Sequence, residues 1–581
     1  MRRGCRGAPT SLDTVNPGLN AIVKTLAEDA LQRGEAVLWR RGSTAKKRRL
    51  PLNNDREGAM ANFVIVGAGS AGCVLAARLT EDPSIEVTLI EAGGADNEPE
   101  IHIPAAQSAL RKTHCDWDYM SQREPGLDGR FVYLPRGKVL GGSSSINAMA
   151  YIRGNRADYD SWAADGAKGW SYDDVLPYFR KSESNERGED QFHGKFGPLS
   201  VCDGRSRHPL ADAFVRAAVE AGHKLNSDFN GATQDGFGRY QCTQRNGMRC
   251  STAVAYLHPA TSRANLKVFI NAQATRILFA RDRACGVEFA RDGRLELAQA
   301  DTEVILAGGA YNSPQLLLLS GIGPAQELTR LGISVRGDLP VGVGLQDHPM
   351  AWMSWRTETE SLITAATPEN HALLQNEGRG PLSSNGAEAG GFVRTRARLP
   401  APDIQFHAVP AIVYNDYQDM SPDMEHGVSL SPCVLKPLSR GRVSLRNASP
   451  FSKPAIVHNY YAEPEDRRSM IEGIRVGLEI AAQPAMRTHI TRPYKVPKSE
   501  SEADIWEHVQ RYTQTIFHPT STCAIGSVVD NELKVQGFEG LRVVDASVMP
   551  SIVRGNTNAP TIMIAERAAD LIRATESRYR A

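Results

Sequence analysis

The sequence predicts an α/β protein that contains a dinucleotide-binding unit of the Rossmann type. In NFVIVGAGSAGCVLAARL, residues 62–79, an apolar strand pattern is followed by clustered glycines and a helical pattern. A second strand pattern, EVTLIEAG at residues 86–93, ends in an acidic residue. At 581 residues the chain is longer than a single hydrophobic core usually supports, so we expect two domains or one large domain with an inserted lobe.

The glycines of the first segment have the G-x-G-x-x-G spacing. Gly67 permits the sharp turn after the strand, Gly69 lets the backbone approach a pyrophosphate, and Gly72 lets the helix and strand pack closely. The helix that follows presents free N–H groups and the positive end of its dipole to phosphates. This segment therefore predicts a phosphate-binding turn.

Glu91 completes the unit at the end of the second strand. It lies at about the distance downstream at which an acidic side chain meets the adenosine ribose in such folds. Strand, glycine turn, helix, strand and terminal acid together predict a dinucleotide site. NAD and FAD share this unit, so the residues discussed up to this point leave the choice between them open.

The composition limits the classes of function. The chain has 41% hydrophobic and 23% charged residues, and its 67 Lys and Arg against 66 Asp and Glu give a net charge of +1. That balance provides no general electrostatic reason to bind nucleic acid or an anionic membrane. No apolar run reaches the roughly 18 residues of a membrane-spanning helix, so we expect no integral membrane segment.

The cysteines point to a reducing compartment. Nine are scattered singly without a C-x-x-C pair, which argues against a disulfide framework. We expect a cytoplasmic protein, either free or peripheral to the inner face of a membrane.

Residues 1–60 are interpreted as an N-terminal extension that is disordered or precedes the true start at Met60. Met60 opens MANFVIVGAGSAG directly before the first predicted strand.

Two further segments narrow the choice of cofactor. RGKVLGGSSSINAMAYIRG, residues 136–154, and GAYNSPQLLLLSGIG, residues 309–323, resemble the two signature motifs of the glucose–methanol–choline (GMC) oxidoreductases, a flavin family. VGVGLQDHP at 341–349, HPTSTCAIG at 518–526 and LRVVDASVMPSIVRGNTNAPTIMIAER at 541–567 extend the resemblance. Within the family, the bacterial choline dehydrogenase-like and alcohol dehydrogenase branch is the most similar.

This resemblance implies a mixed α/β and α+β architecture. A Rossmann-like FAD-binding domain would be discontinuous in sequence and formed by residues 61–155, 236–348 and 527–577. A substrate-binding lobe with an antiparallel sheet and helices would be formed by residues 156–235 and 349–526.

The resemblance also assigns contacts to FAD. Gly67, Gly69 and Gly72 would face the pyrophosphate and Glu91 the adenosine ribose. The flavin and ribityl side would be lined by Val139, Gly142, Asn147 and Ala148, and the adenine would meet the backbone of Ala274. Asp545 and Ala546 would approach the pyrophosphate and ribityl chain, and Thr557 and Asn558 the pyrimidine ring.

The sequence also bears on how FAD is held. Some choline oxidases link FAD covalently to a histidine directly before the matching asparagine. Ile146 stands at that position in this chain, so we expect non-covalent FAD.

The implied reaction is oxidation of a primary alcohol or a choline-like alcohol to the aldehyde. Such a reaction needs a base for the hydroxyl proton and an acceptor for the hydride, which a flavin takes at N5. His518 coincides with the family's catalytic histidine, and Asn556 with the second position, where an amide can hold the substrate oxygen. The alternatives are an oxynitrilase-like lyase of the same fold or an oxidase of a ring-borne hydroxymethyl group such as that of pyridoxine.

Several points stay open. The sequence does not identify the alcohol or the oligomeric state. It also does not identify the electron acceptor, which is dioxygen, a quinone or another carrier.

Two other kinds of site are disfavoured around His518. A metal site at His518 and Cys523 lacks further ligands, and a hydrolase site would need a G-x-S-x-G elbow, which the chain does not contain. We expect Ser521 and Thr522 to form local hydrogen bonds, Cys523 to be packed and His348 to be structural. His407 is either pocket-lining or an ordinary strand residue, and Ala524 replaces the Lys or Arg of many relatives without a predicted effect.

Overall fold

The computed structural model describes residues 61–413 and 425–580. The N-terminal extension predicted for residues 1–60, with its alternative start at Met60, lies outside these described residues.

A five-stranded parallel sheet forms the centre of the nucleotide end. Its strands lie in the order Leu266–Phe269, Ile85–Ile90, Ala61–Val66, Glu303–Leu306 and Leu541–Val543. Phe63, Val64 and Ile65 in the central strand are fully buried, as expected for a parallel strand covered on both faces. Because the five strands come from distant parts of the chain, the predicted Rossmann-like fold built from separated segments is confirmed.

Helices that begin near the carboxyl ends of these strands cover the sheet. Ser70–Leu79 follows the glycine turn, Gly309–Leu319 follows the strand Glu303–Leu306, and Asn558–Arg580 is the C-terminal helix. Arg78 on the first of these helices forms an ion pair of 2.8 Å with Glu566 on the last, and the Glu566 side chain is fully buried. This pair joins two helices that are nearly 500 residues apart in the chain.

An eight-stranded, largely antiparallel sheet forms the other large element. Its strands are Gly236–Arg239, Pro349–Ala351, Met353–Thr357, Ala389–Val393, Ile404–Val409, Gly427–Val434, Ile490–Lys495 and Thr513–Thr515. The helix Pro464–Ala481 packs on one face, where a β-carbon at Gly477 would lie 2.4 Å from the side chain of Met353. Gly236–Arg239, which falls in a range expected for the FAD-binding domain, pairs with Ala389–Val393 at the edge of this sheet.

Further helices, 3₁₀ turns and small sheets complete the described fold. The other helices are Pro99–His102, Arg156–Ala164, Tyr172–Ser182, Pro209–Glu220, Ala253–Leu257, His258–Ala260, Ala325–Arg330, Pro368–Glu377, Pro484–Arg487 and Glu502–Tyr512. The 3₁₀ turns are Pro104–Leu110, Pro125–Leu127, Gly142–Ser145, Leu362–Thr364, Pro381–Ser383 and Ala546–Val548. Three-stranded sheets are formed by Gln273–Ala280, Arg283–Arg291 and Arg294–Gln299, by Val343–Leu345, Gly441–Ser444 and Ala455–Val457, and by Glu183–Asn185, Leu199–Asp203 and Gln241–Cys242. Tyr119–Met120 pairs with Tyr133–Leu134, and Gln244–Arg245 with Met248–Arg249.

Among residues 61–413 and 425–580, no helix has both the length and the hydropathy needed to cross a bilayer.

Candidate active site

The glycine turn has the geometry that its spacing predicts. Gly67 has a φ of +99°, and a β-carbon there would lie 2.6 Å from the carbonyl oxygen of Ala307. A β-carbon at Gly72 would lie 1.8 Å from the carbonyl oxygen of Gly67, so the helix and turn are in direct backbone contact. At Gly69 the nearest protein atoms lie 3.9 Å from such a β-carbon, an ordinary van der Waals distance, and this residue lines a cavity.

Glu91 is buried beside this turn at the end of its strand. Its two carboxylate oxygens accept hydrogen bonds of 2.8 Å from the backbone amides of Ala68 and Gly93. Burial raises the pKa of Glu91 to about 7, while the two amides act in the opposite direction by favouring the ionised form. The side chain is therefore fixed in position and lines the cavity next to the glycine turn.

One cavity of about 780 Å³ extends from the glycine turn to His518 and Asn556. Most of the residues predicted to contact FAD line it. They are Gly67, Gly69, Glu91, Gly142, Asn147, Ala148, Ala274, Asp545, Ala546, Thr557 and Asn558. Gly72 and Val139 do not line the cavity: Gly72 lies behind the turn, and Val139 packs against Ile101, Leu110 and Cys115.

Asp545 connects two of the segments that line the cofactor end. Its carboxylate accepts hydrogen bonds from the Gly309 amide at 2.8 Å and the Ser313 hydroxyl at 2.5 Å, both at the start of the helix Gly309–Leu319. It also accepts one of 2.8 Å from the Ser547 amide, and burial raises its pKa. Ser70 and Asn558 also line the cavity, and Ser70 donates a hydrogen bond of 2.7 Å to the side-chain oxygen of Asn558.

The other end of the cavity is formed by alternate residues of the antiparallel sheet. Ile404, Phe406 and Ala408 belong to the apolar core, whereas His407 and Val409 line the cavity. Because neighbouring side chains of a strand point to opposite faces, this alternation gives the sheet one core face and one cavity face. Of the two roles left open for His407, the structure supports the pocket-lining one.

His518 lies where this sheet meets the cofactor end. The side-chain amide nitrogen of Asn556 is 3.3 Å from its Nε2, and Asp347 accepts a hydrogen bond of 2.8 Å from its backbone amide. Burial lowers the pKa of His518 well below 6.5, and the neighbouring His348, His407 and Arg136 act in the same direction. The imidazole is therefore neutral at neutral pH, which is the form that can accept a proton.

The sequence interpretation missed two contacts of this pair. His348, for which a structural role was expected, has its Nδ1 3.0 Å from the Nδ1 of His518. The side-chain amide of Gln405 donates hydrogen bonds to the Asn556 oxygen at 3.2 Å and to the Tyr240 hydroxyl at 3.0 Å. The only signal for Gln405 was its place two residues before His407 on an alternating strand, and for His348 its place in LQDHP.

The remaining polar residues of HPTSTCAIG have local roles. The Thr522 hydroxyl donates a hydrogen bond of 2.8 Å to the Ala310 carbonyl, and the Ser521 and Thr520 hydroxyls are 3.0 Å apart. Cys523 is fully buried, and burial raises its pKa well above the ordinary value, which keeps the thiol neutral. Ala524 does not line the cavity. Within the described part of the chain, no three His, Cys, Asp or Glu side chains are grouped as a metal site would require.

Comparisons with known proteins agree with this geometry. Family models described as GMC oxidoreductase match residues 61–350 and 437–565. The chain is 43% identical over 534 residues to a mitochondrial choline dehydrogenase of Mus musculus, covering 88% of this chain and 89% of that protein. It is 42% identical over 529 residues to an alcohol dehydrogenase [acceptor] of Pseudomonas putida, covering 88% and 96%. Among solved structures, pyridoxine 4-oxidase from Mesorbium loti aligns with a TM-score of 0.82 at 30% identity, covering 88% of this chain and 99% of that one.

Proposed function

The chain belongs to the GMC oxidoreductase family and is an FAD-dependent oxidoreductase of alcohols, and we propose that His518 is its general base and Asn556 its substrate-orienting residue. The observation that carries this proposal is the single cavity that runs from the glycine turn to His518 Nε2 and the Asn556 amide. A dinucleotide and a small alcohol can therefore meet in one cavity.

The residues at the cofactor end fit FAD. Gly69, Ser70 and Ala71 line the cavity at the N-terminus of the helix Ser70–Leu79, where the first backbone amides of the helix suit a pyrophosphate. The buried carboxylate of Glu91 suits the hydroxyls of a ribose. When bound, FAD supplies the acceptor for the hydride that leaves the alcohol carbon.

At the catalytic end, we assign each group one task. The neutral His518 accepts the proton of the substrate hydroxyl at Nε2, which breaks the O–H bond and leaves the charge on the imidazole. The amide nitrogen of Asn556 donates a hydrogen bond to the substrate oxygen, because its own oxygen is held by Gln405. The buried position of His518, which is 8% exposed, excludes bulk water from this step.

Anaerobic mixing of the holoenzyme with alcohols tests the proposal. We expect the alcohol to bleach the oxidised flavin spectrum, with an aldehyde as product. Parallel turnover assays with an artificial dye and by hydrogen peroxide formation would show whether dioxygen or another carrier accepts the electrons. If no alcohol bleaches the flavin, the proposed oxidation is wrong; product formation with an unchanged oxidised spectrum would indicate lyase chemistry instead.

We propose a neutral primary alcohol with an apolar chain as substrate. The part of the cavity near His518 is lined largely by apolar side chains, among them Met350, Trp352, Leu362, Val409, Ile412 and Ile516. Among the described residues that line the cavity, the only carboxylates are Glu91 and Asp545, at the cofactor end, while Arg111 and Arg136 add positive charge. A quaternary ammonium such as that of choline is recognised by aromatic faces together with carboxylates. Trp117, Trp352 and Phe517 supply aromatic faces to the cavity, but among the described residues no carboxylate lines it besides Glu91 and Asp545, so this lining favours an uncharged alcohol.

Competing substrates would measure this preference. We expect kcat/KM for 1-hexanol or benzyl alcohol to exceed that for choline by about tenfold or more, which corresponds to about 1.4 kcal/mol of transition-state binding. 3,3-Dimethyl-1-butanol, which has the shape of choline without its charge, separates the effect of charge from that of size. A preference for choline over this analogue would contradict the proposed substrate class.

We also propose that FAD is held without a covalent bond. Ile146 lines the cavity at the position where some relatives have the linking histidine, and its aliphatic side chain cannot form that bond. Acid precipitation should release the flavin into the supernatant, whereas flavin retained in the pellet would contradict this.

We further propose that residues 61–155, 236–348 and 527–577 form the cofactor-binding part and residues 156–235 and 349–526 the substrate-binding part. All five parallel strands fall in the first set, which supports the division. Because Gly236–Arg239 pairs in the antiparallel sheet, we move that boundary to the end of this strand.

A further inference from the structure

Three groups form a hydrogen-bonded row behind the catalytic end of the cavity. His348 Nε2 lies 2.9 Å from the carbonyl oxygen of Leu435, and His348 Nδ1 lies 3.0 Å from His518 Nδ1. A carbonyl oxygen can only accept a hydrogen bond, so the Nε2 of His348 carries a hydrogen. The hydrogen bond at this end of the row therefore runs from His348 Nε2 to the Leu435 carbonyl oxygen.

The charge of His348 decides the direction of the second bond. The His348 side chain is fully buried, and burial lowers its pKa to about 4. The adjacent Asp347 opposes this shift, but its carboxylate accepts hydrogen bonds from the His518 amide at 2.8 Å and the Tyr460 hydroxyl at 2.5 Å. His348 is therefore neutral at neutral pH. With a hydrogen on Nε2, its Nδ1 carries a lone pair and can only accept.

It follows that His518 donates through Nδ1. A neutral imidazole has one N–H, so the hydrogen on Nδ1 leaves a lone pair on Nε2. Nε2 is the nitrogen that lies 3.3 Å from the Asn556 amide at the wall of the cavity. The opposite tautomer would leave two bare nitrogens facing each other at 3.0 Å and would put a hydrogen where a base needs a lone pair.

We propose that His348 is a positioning residue that holds His518 in the Nδ1–H tautomer, so that Nε2 is free to take the alcohol proton. This inference rests on the proposed function, since it assigns a consequence to the base role of His518. After the proton transfer, the Nδ1–H of the charged His518 stays donated to His348. In this arrangement a neutral imidazole occupies the orienting place that a carboxylate has in serine hydrolases.

Other charged groups near His518 could also affect its titration, so the test must separate them from His348. Arg136 and His407 both disfavour the protonated form of His518, and Asp347 contacts its backbone amide. Asp158 raises and Lys436 lowers the pKa of His348. None of these groups makes a hydrogen bond to a ring nitrogen of His518 in the described structure, whereas His348 does. Because His348 also lowers the pKa of His518, the test must read the tautomer as well as the rate.

Two substitutions distinguish positioning from packing. His348→Leu removes the acceptor, and we expect the rate constant of flavin reduction by a saturating alcohol to fall by about 10²–10⁴-fold, as for other bases left in the wrong tautomer. His348→Asn places an amide oxygen close to the present position of Nδ1, and we expect it to regain at least about tenfold of that loss. His508→Asn is the matched control, because His508 is also a buried histidine with one bond to a carbonyl, at 2.9 Å from Trp352.

The decisive measurement reads the tautomer directly. In the holoenzyme labelled with ¹⁵N-histidine, we expect the His518 resonance, assigned by its loss in His518→Asn, to show Nδ1–H in the wild type. It should shift toward Nε2–H in His348→Leu and remain Nδ1–H in the His508→Asn control. Nε2–H in the wild type, or an unchanged tautomer in His348→Leu, would overturn the inference. If the wild type shows Nδ1–H and His348→Leu loses it, but no alcohol reduces the flavin, the tautomer assignment stands and the proposed function fails.

Discussion

The two ends of the cavity are built in different ways. At the cofactor end the contacts involve mainly backbone groups and glycines: Gly67 and Gly72 touch backbone oxygens, and Glu91 is held by two amides. At the catalytic end the contacts join side chains. His348 and His518 are 170 residues apart, and Gln405 and Asn556 are 151 apart. The cofactor end is thus shaped mainly by backbone groups, including distant ones such as the Ala307 carbonyl beside Gly67, and the catalytic end by side-chain hydrogen bonds between distant segments.

This difference separates two kinds of functional loss. A change at the glycine turn alters the backbone itself and should affect FAD binding and stability together. A change among His348, Gln405, His518 and Asn556 removes one directed hydrogen bond within an otherwise packed wall. We therefore expect substitutions at the catalytic end to lower the reaction rate while FAD content and thermal midpoint change little.

The largest effect is expected at His518. His518→Ala should lower the rate constant of anaerobic flavin reduction by about 10²–10⁴-fold, because the general base is lost. Stopped-flow absorbance measures that rate, and the ratio of flavin to protein absorbance measures FAD content. A large loss of FAD in this variant would contradict the expectation that the catalytic end affects the rate and not FAD binding. A rate close to that of the wild type would contradict the base role of His518.

The second prediction concerns Gly72, where we expect a loss of folding stability and FAD binding. In Gly72→Ala the new methyl group meets the Gly67 carbonyl oxygen, which lies 1.8 Å from its ideal position. We expect a loss of about 1–3 kcal/mol of folding stability and a lower FAD content, because the turn must move to avoid the clash. Thermal denaturation and the FAD-to-protein ratio measure both. Gly204→Ala is the matched control, since its β-carbon would be 3.8 Å from the nearest atom and should change neither quantity.

A smaller effect is expected at Gln405, which acts on Asn556. Its side-chain nitrogen donates to the Asn556 oxygen at 3.2 Å, so Gln405→Leu frees the Asn556 amide to rotate. We expect the flavin reduction rate to fall by about tenfold, equivalent to about 1.4 kcal/mol and thus to one hydrogen bond. Gln244→Leu is the control: Gln244 is equally buried and donates a bond of 2.9 Å to the Ser383 carbonyl away from His518. Equal losses in the two variants would mean that Gln405 is only a packing residue.

The same contrast explains what the sequence could predict. The glycine turn, Glu91 and the alternation of Rossmann elements follow from short-range spacing, so they were predictable from residues 62–93 alone. His518 and Asn556 were found through the resemblance to a family, because neither residue has a local signal for catalysis. The contact between His348 and His518 was missed since it depends on the pairing of Pro349–Ala351 with Thr513–Thr515. Val139 was assigned to the cavity from its motif, but the turn at Gly141 and Gly142 directs it into an apolar cluster.

The smallest predicted effect concerns the pH dependence of the cofactor end. Burial raises the pKa of Glu91 from 4.5 to about 7, so between these values the folded protein holds a proton that the unfolded chain has released. Stability contributed by Glu91 is therefore fully present below about pH 4.5 and is lost as the pH rises toward 7. Relative to Glu91→Gln, the wild-type holoenzyme at saturating FAD should lose thermal stability as the pH rises from 5 to 8. Glu86→Gln on the same strand is the control. A wild type that gains stability over this range relative to Glu91→Gln would indicate that the Ala68 and Gly93 amides outweigh burial and keep the carboxylate ionised.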